Sequence, residues 1–222
     1  TRARRERLQQ RAQQRHAAQH QQELLQAVRE ARAATTLVPT VVEAELTVHR
    51  EQPLGAGGFG TVVRGTYFGR PVAVKLPKSS PPDAETMAAI EREARVHMAL
   101  FLHLRHFVVE LHGLREVGGA MVMEVAWGTL ADLVHPEQEM PRARVLGRTL
   151  PLYVQLIEGL HYMHQRGVAH GDVKPRNVLL FEDGSSWQVK MGDMGLVHEA
   201  SDGQARGQGT LPYMAPELFT GD

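Results

Sequence analysis

The sequence predicts an α+β chain of two lobes, a β-rich lobe followed by an α-rich one, with a helix ahead of both. Three observations predict it. Residues 1–34 hold 8 Arg, 8 Gln and many Ala, with no Gly or Pro. From Glu45 the texture turns to short β-branched runs punctuated by glycine. After Gly128 it turns helical, with apolar residues at helical spacing.

The N-terminal 34 residues are good helix formers and would span roughly 50 Å as one helix. Their apolar stripe is thin. Leu8 and Ala12 share a face, Arg15 interrupts it, and Leu24, Leu25, Val28 and Ala31 form a short cluster. No heptad persists, so a self-associating coiled coil is not expected. Two readings stand: a solvated arm, or a helix that docks on a protein partner through residues 1–34. Thr35 and Thr36 end the segment and Pro39 marks a linker. The expected division is 1–35 as helical extension, 36–50 as linker, 51–126 as first lobe and 127–222 as second lobe.

Leu46, Val48, Leu54, Val62, Val63, Tyr67, Val72 and Val74 lie in runs that predict a twisted antiparallel sheet with hairpins. Residues 84–104, rich in Ala, Glu, Met and Leu, predict a helix. Val108, Val109 and Leu111, then Met121 to Val125, are two more strand-like runs. Leu152 to Gln165 predicts a helix. Val178–Phe181 and Gln188–Met191 predict strands joined through an Asp183-Gly184 turn.

Composition excludes several functions. The 222 residues carry 25 Lys+Arg against 25 Asp+Glu, a balance unlike that of a wrapper for nucleic acid or anionic membrane. Cysteine is absent, which removes disulfides, Cys-ligated zinc and thiol nucleophiles. No window approaches the ~18 apolar residues of a membrane span. Thr1 opens the chain and Arg2 to Arg15 lead into no apolar core, so this is not read as a signal peptide but as an internal piece of something longer. Only 4 of the basic residues are Lys, so a Lys position in this chain is a stronger pointer to a need for that side chain than an Arg position is.

Gly55-Ala56-Gly57-Gly58-Phe59-Gly60 matches G-x-G-x-x-G, a weak signal alone in a chain with 21 glycines. The residues after it, Thr61 to Phe68, are β-branched and predict a second strand, so the motif reads as a hairpin tip, not a strand-to-helix turn. Backbone N–H groups at such a tip approach phosphates because no Cβ intrudes. On the following strand comes Val72-Ala73-Val74-Lys75. A lone Lys among apolar neighbours needs anionic partners to offset its desolvation. Glu91 and Glu93 on the next helix are the candidates; Glu93 is favoured because Val96 and Leu100 orient that face.

In the second lobe, His170-Gly171-Asp172-Val173-Lys174-Pro175-Arg176-Asn177 is followed by Asp193-Met194-Gly195 and then by Gly209 to Glu217, ending Met214-Ala215-Pro216-Glu217. This ordered set resembles the eukaryotic protein kinase family over about Leu54 to Glu217. The resemblance implies a two-lobed kinase fold, ATP and Mg²⁺ as cofactors, and a protein substrate. It implies Asp172 and Lys174 as catalytic residues and Asn177 and Asp193 as metal ligands. Gly55, Gly57, Gly58 and Gly60 would cover the phosphates. Lys75 paired with Glu93 would hold them. Val62, Ala73 and Leu179 would sandwich the adenine beside Met123 as gatekeeper, with the backbone of Glu124 and Ala126 as hinge.

Lys174 and the Gly-Thr-x-x-Tyr-Met-Ala-Pro-Glu stretch look like Ser/Thr kinases, and Gly65 to Pro71 resembles the tyrosine-kinase-like group. A cytoplasmic location is expected, with no nucleic-acid partner. The family's second lobe continues beyond the Ala-Pro-Glu element, so the chain is expected to be part of a longer polypeptide.

Three positions depart from the family pattern. Gly171 stands where many members have an Arg that pairs with an activation-loop phosphate. Met194 replaces the usual Phe. His97, one turn after Glu93, takes a position that is normally apolar; either the register slips or the active arrangement is less stable. His103 with His106 and His161 with His164 lack a third ligand, so metal binding there is not expected. Two functions stay open, an active Ser/Thr kinase and a pseudokinase or scaffold docked through its N-terminal helix.

Overall fold

The computed structural model describes residues 22–33, 37–57, 60–79, 81–134, 142–184, 186–201, 209–216 and 218. Residues 22–32 form α1. The first lobe is a five-stranded sheet of β1 (Leu46–Gly57), β2 (Gly60–Tyr67), β3 (Arg70–Leu76), β4 (Leu111–Arg115) and β5 (Ala120–Glu124). Its order is β1-β2-β3-β5-β4, and every neighbouring pair is antiparallel. α2 (Ala84–His103) inserts between β3 and β4. It starts where the Asp83 carboxylate accepts from the Thr86 N–H at 2.7 Å, capping an otherwise unpaired donor.

Strand register decides what faces the cleft. Val62, Lys75 and Met121 lie opposite one another, as do Ala73 and Met123 two residues along. With a period of two these five side chains share one face. The other face carries Val63, Val72, Val74 and Val122, all buried. α2 covers the β4–β5 side of the first face, where Ala94, Met98, Leu111, Leu114 and Met121 pack together. Val62, Ala73 and Lys75 are left facing the space between the lobes.

The second lobe has α3 (Leu130–Val134) and α4 (Arg142–Gln165). A three-stranded sheet comprises β6 (Gly128–Thr129), β8 (Val178–Asp183) and β9 (Ser186–Met191), in the order β6-β8-β9. A two-stranded ribbon pairs β7 (Val168–Ala169) with β10 (His198–Glu199). α4 begins ten residues before Leu152, because Pro151 lies inside the helix and does not start it. The lobes are stitched where the Val109 N–H donates to the Met191 carbonyl at 3.1 Å and the Met191 N–H to the Phe107 carbonyl at 2.6 Å.

α1 belongs to this architecture. Leu24, Val28 and Ala31, at i, i+4 and i+7, are at most 1% exposed. They join the core that holds Val96 and Leu100 of α2 with Met163, Val168 and Val197. The apolar cluster seen in the sequence is therefore spent, over 22–32, on this chain's own core. The rest of the 1–34 helix expectation, residues 1–21 and Ala34, lies outside the described residues.

Candidate active site

The site forms where β3, α2, the loop after β7 and the loop after β9 converge. Lys75 Nζ donates to Glu93 Oε1 at 2.6 Å and to Asp193 Oδ1 at 2.9 Å. Two carboxylates thus share one ammonium. Burial alone would push the Lys75 pKa down, but Glu93 and Asp193 outweigh it and hold it above the usual lysine range. Glu91 instead faces Arg95 at 3.7 Å, one turn away on the same helix. Asp193 takes left-handed backbone angles, φ 61° and ψ 76°, unusual for a non-glycine residue. Its bond to Lys75 helps fix that geometry.

The residues of the loop after β7 are locked together. Asp172 Oδ2 accepts from Lys174 Nζ and, at 3.0 Å, from Asn177 Nδ2. Asp172 Oδ1 accepts from Thr210 Oγ1 at 2.8 Å, and Lys174 also donates to that hydroxyl at 2.8 Å. Burial would raise the Asp172 pKa; the bonds from Lys174, Thr210 and Asn177 outweigh it and hold the carboxyl below its ordinary range. Asn177 also donates Nδ2 to the Asp172 carbonyl, at 2.9 Å, so its amide oxygen points away from that loop. The Gly192 N–H donates to the Asn177 carbonyl at 2.9 Å, which ties the chain just before Asp193 to this loop. Thr210 lies in the Gly209 to Glu217 stretch, but nothing in its local sequence shows that its hydroxyl reaches back to residue 172.

Gly55 and Gly57 lie on β1 and Gly60 opens β2, with Gly57 paired to Gly60 across the hairpin end. Gly58 lies outside the described residues. At Gly60 φ is +146° and an added Cβ would sit 1.9 Å from the Leu76 carbonyl oxygen, so only glycine fits. Val62 and Met123 are half-buried and Ala73 is buried on the cleft face. Leu179 is half-buried on β8, with Gly192 beneath it. The Glu124 N–H is already given to the Glu110 carbonyl at 3.0 Å, so a backbone contact from Glu124 to a ligand falls to its carbonyl. The Glu124 carboxylate is held by Lys190 at 2.6 Å. Ala126 follows in the connection between the lobes and is half-buried.

Two departures now have a setting. Gly171 has φ +82°, and an added Cβ would lie 2.3 Å from the Leu196 carbonyl oxygen. His97 is fully buried, and the register has not slipped, because Glu93 reaches Lys75. His97 Nε2 donates to the Val109 carbonyl at 2.7 Å, and Nδ1 has no hydrogen-bond partner. Burial lowers its pKa to about 4, so the ring is neutral. His170 is buried as well and its pKa is lowered by burial; it donates Nε2 to the Gly192 carbonyl at 3.1 Å.

A lysine held by two acids, and an acid held by a second lysine, an asparagine and a threonine, match the spacing of one known family. The protein kinase domain family matches residues 48–222. The chain belongs to the protein kinase family. This kinase domain is 31% identical over 199 residues to human mitogen-activated protein kinase kinase kinase 11, covering 82% of the chain and 22% of that relative. It is 32% identical over 177 residues to the Raf homolog serine/threonine-protein kinase of Caenorhabditis elegans, covering 75% of the chain and 21% of the relative. It is 36% identical over 179 residues to CBL-interacting protein kinase 4 of Oryza sativa subsp. japonica, covering 75% and 37%. The kinase domain thus spans well under half the length of each. Among the described residues no helix is long and apolar enough to cross a membrane.

Proposed function

We propose that this kinase domain transfers the γ-phosphate of ATP to serine or threonine hydroxyls of a protein substrate. The observation that carries the reading is Lys75 bonded at once to Glu93 and Asp193, residues 18 and 118 positions away. A glycine hairpin that no side chain could enter at Gly60 supports a phosphate site above it.

The donor set also fits a hard divalent cation. Asp193 offers a carboxylate and Asn177 an amide oxygen, the ligand types Mg²⁺ prefers. When bound, that ion would offset phosphate charge. The residues do the rest by position. Lys75 holds phosphate oxygens. Asp172 orients the acceptor hydroxyl and takes its proton. Its Oδ2 already has two partners and Oδ1 has one, so Oδ1 is the oxygen that receives the hydroxyl. Lys174 balances charge beside it.

A second reading, a pseudokinase or scaffold module, is favoured by one observation. The buried His97 with an unpartnered Nδ1 weakens the assembled arrangement. Thermal shift with ATP·Mg²⁺ and a phosphotransfer assay separate the two. Saturation at 100-fold over the dissociation constant stabilises the protein by roughly 2.7 kcal/mol. Binding with transfer supports the kinase reading; binding without transfer supports a pseudokinase, and the absence of both leaves the scaffold reading and refutes the kinase one.

A further inference from the structure

We propose that Arg29 and Arg32 of α1 are positioning residues that hold the start of the activation segment, Val197 to Glu199, in its productive place without a phosphate. The proposal rests on the kinase reading of the site. Arg29 grips Glu199 with two parallel bonds, Nε to Oε1 at 2.8 Å and Nη2 to Oε2 at 2.7 Å. Arg32 Nη2 donates to the Val197 carbonyl at 3.1 Å. Glu199 lies opposite Val168 and His198 opposite Ala169, so Arg29 grips β10 of the β7–β10 ribbon and Arg32 holds the residue just before it.

That ribbon feeds the chemistry from both sides. Ala169 leads directly into His170, Gly171 and Asp172; Val197 closes the turn that begins at Asp193. Gly171 touches Leu196 backbone closely and has no side chain with which to hold the segment. The same C-terminal end of α1 also reaches α2, where Arg95 Nε donates to the Ala31 carbonyl at 3.2 Å, half a turn from Glu93. One short helix therefore joins the element that carries Glu93 to the element that follows Asp193. Those are the two acids that share Lys75. A cavity of about 280 Å³ lies between these elements, with Arg32, Glu93, Met194 and Val197 in its lining.

The bidentate pair spans 170 residues and lies outside the active cleft. Arg29 is exposed while Glu199 is largely covered, so the pair is testable without opening the core. The test uses the full-length protein with Arg29→Ala, Arg29→Glu, and the swap Arg29→Glu with Glu199→Arg. Steady-state kinetics are read with hydrogen–deuterium exchange over residues 194–200. Arg29→Ala is expected to lower kcat about three- to tenfold, with KM for ATP within about twofold and faster exchange over 194–200. The swap is expected to recover both kcat and exchange, which ties the loss to the ion pair and not to the packing of the Arg29 side chain. Unchanged exchange in Arg29→Ala, or a swap no better than Arg29→Glu, overturns the proposal, as does faster exchange with unchanged kcat. Should the wild type transfer no phosphate, the kinase reading fails, and exchange in the single and swapped variants alone decides the clamp.

Discussion

Replacing His97 by Leu should flatten the acid branch of this protein's stability. His97 is fully buried, and its pKa stands at about 4 against an ordinary 6.5. The folded state thus refuses a proton that the unfolded state accepts. For a depressed pKa the stabilisation is whole above pH 6.5 and is lost as pH falls toward 4. The full gap is worth about 3 kcal/mol at 1.36 kcal/mol per unit. Between pH 7 and pH 5 the unfolded state takes most of its proton and the folded state little, which removes about 2 kcal/mol. Urea unfolding of wild type and His97→Leu at both pH values isolates this, because other titrating groups cancel in the double difference. The variant also removes the unpartnered Nδ1 and leaves the Val109 carbonyl without its donor, so its stability at pH 7 moves by the net of two opposed effects. The double difference does not depend on that net. A value near 2 kcal/mol in the predicted sign supports the buried neutral imidazole; a value near zero refutes it.

Other outcomes follow from the same geometry. Lys75→Met strands two carboxylates and should destabilise by up to about 3 kcal/mol in denaturant unfolding; adding Glu93→Leu should restore most of that stability but no nucleotide binding. Gly60→Ala must displace the Leu76 carbonyl, so KM for ATP should rise about tenfold in initial-rate kinetics, for a strain of roughly 1–3 kcal/mol. Ser201→Glu, on an exposed turn of the activation segment, should leave kcat nearly unchanged, because Gly171 offers no side chain to receive the charge.

The parts legible in the sequence were those with short-range signatures. The β1–β2 hairpin follows from glycines flanked by β-branched residues, and the Lys75–Glu93 pairing from the apolar face of α2 through Val96 and Leu100. The start of α4 was not legible, because the apolar spacing that marks the helix is clear only from Leu152 while the helix runs from Arg142 with Pro151 inside it. The destination of α1 was not legible. Its stripe of Leu24, Val28 and Ala31 announces a contact but not with what, and the contact proves to be with α2 and the second lobe of the same chain. Arg29 with Glu199 and Thr210 with Asp172 are pairings across 170 and 38 residues, set by tertiary closure and not by any local pattern. The Lys190–Glu124 pair belongs to the same class.

The central claim is that Asp172, held by Lys174, Asn177 and Thr210, turns a protein hydroxyl into the phosphate acceptor. The most direct measurement incubates full-length protein and its Asp172→Asn variant with γ-labelled ATP, Mg²⁺ and an acceptor protein, and identifies the labelled residues. The account predicts label on serine and threonine with the wild type and a loss of at least about a hundredfold with Asp172→Asn. Equal labelling by the two proteins, or none by the wild type, would contradict it.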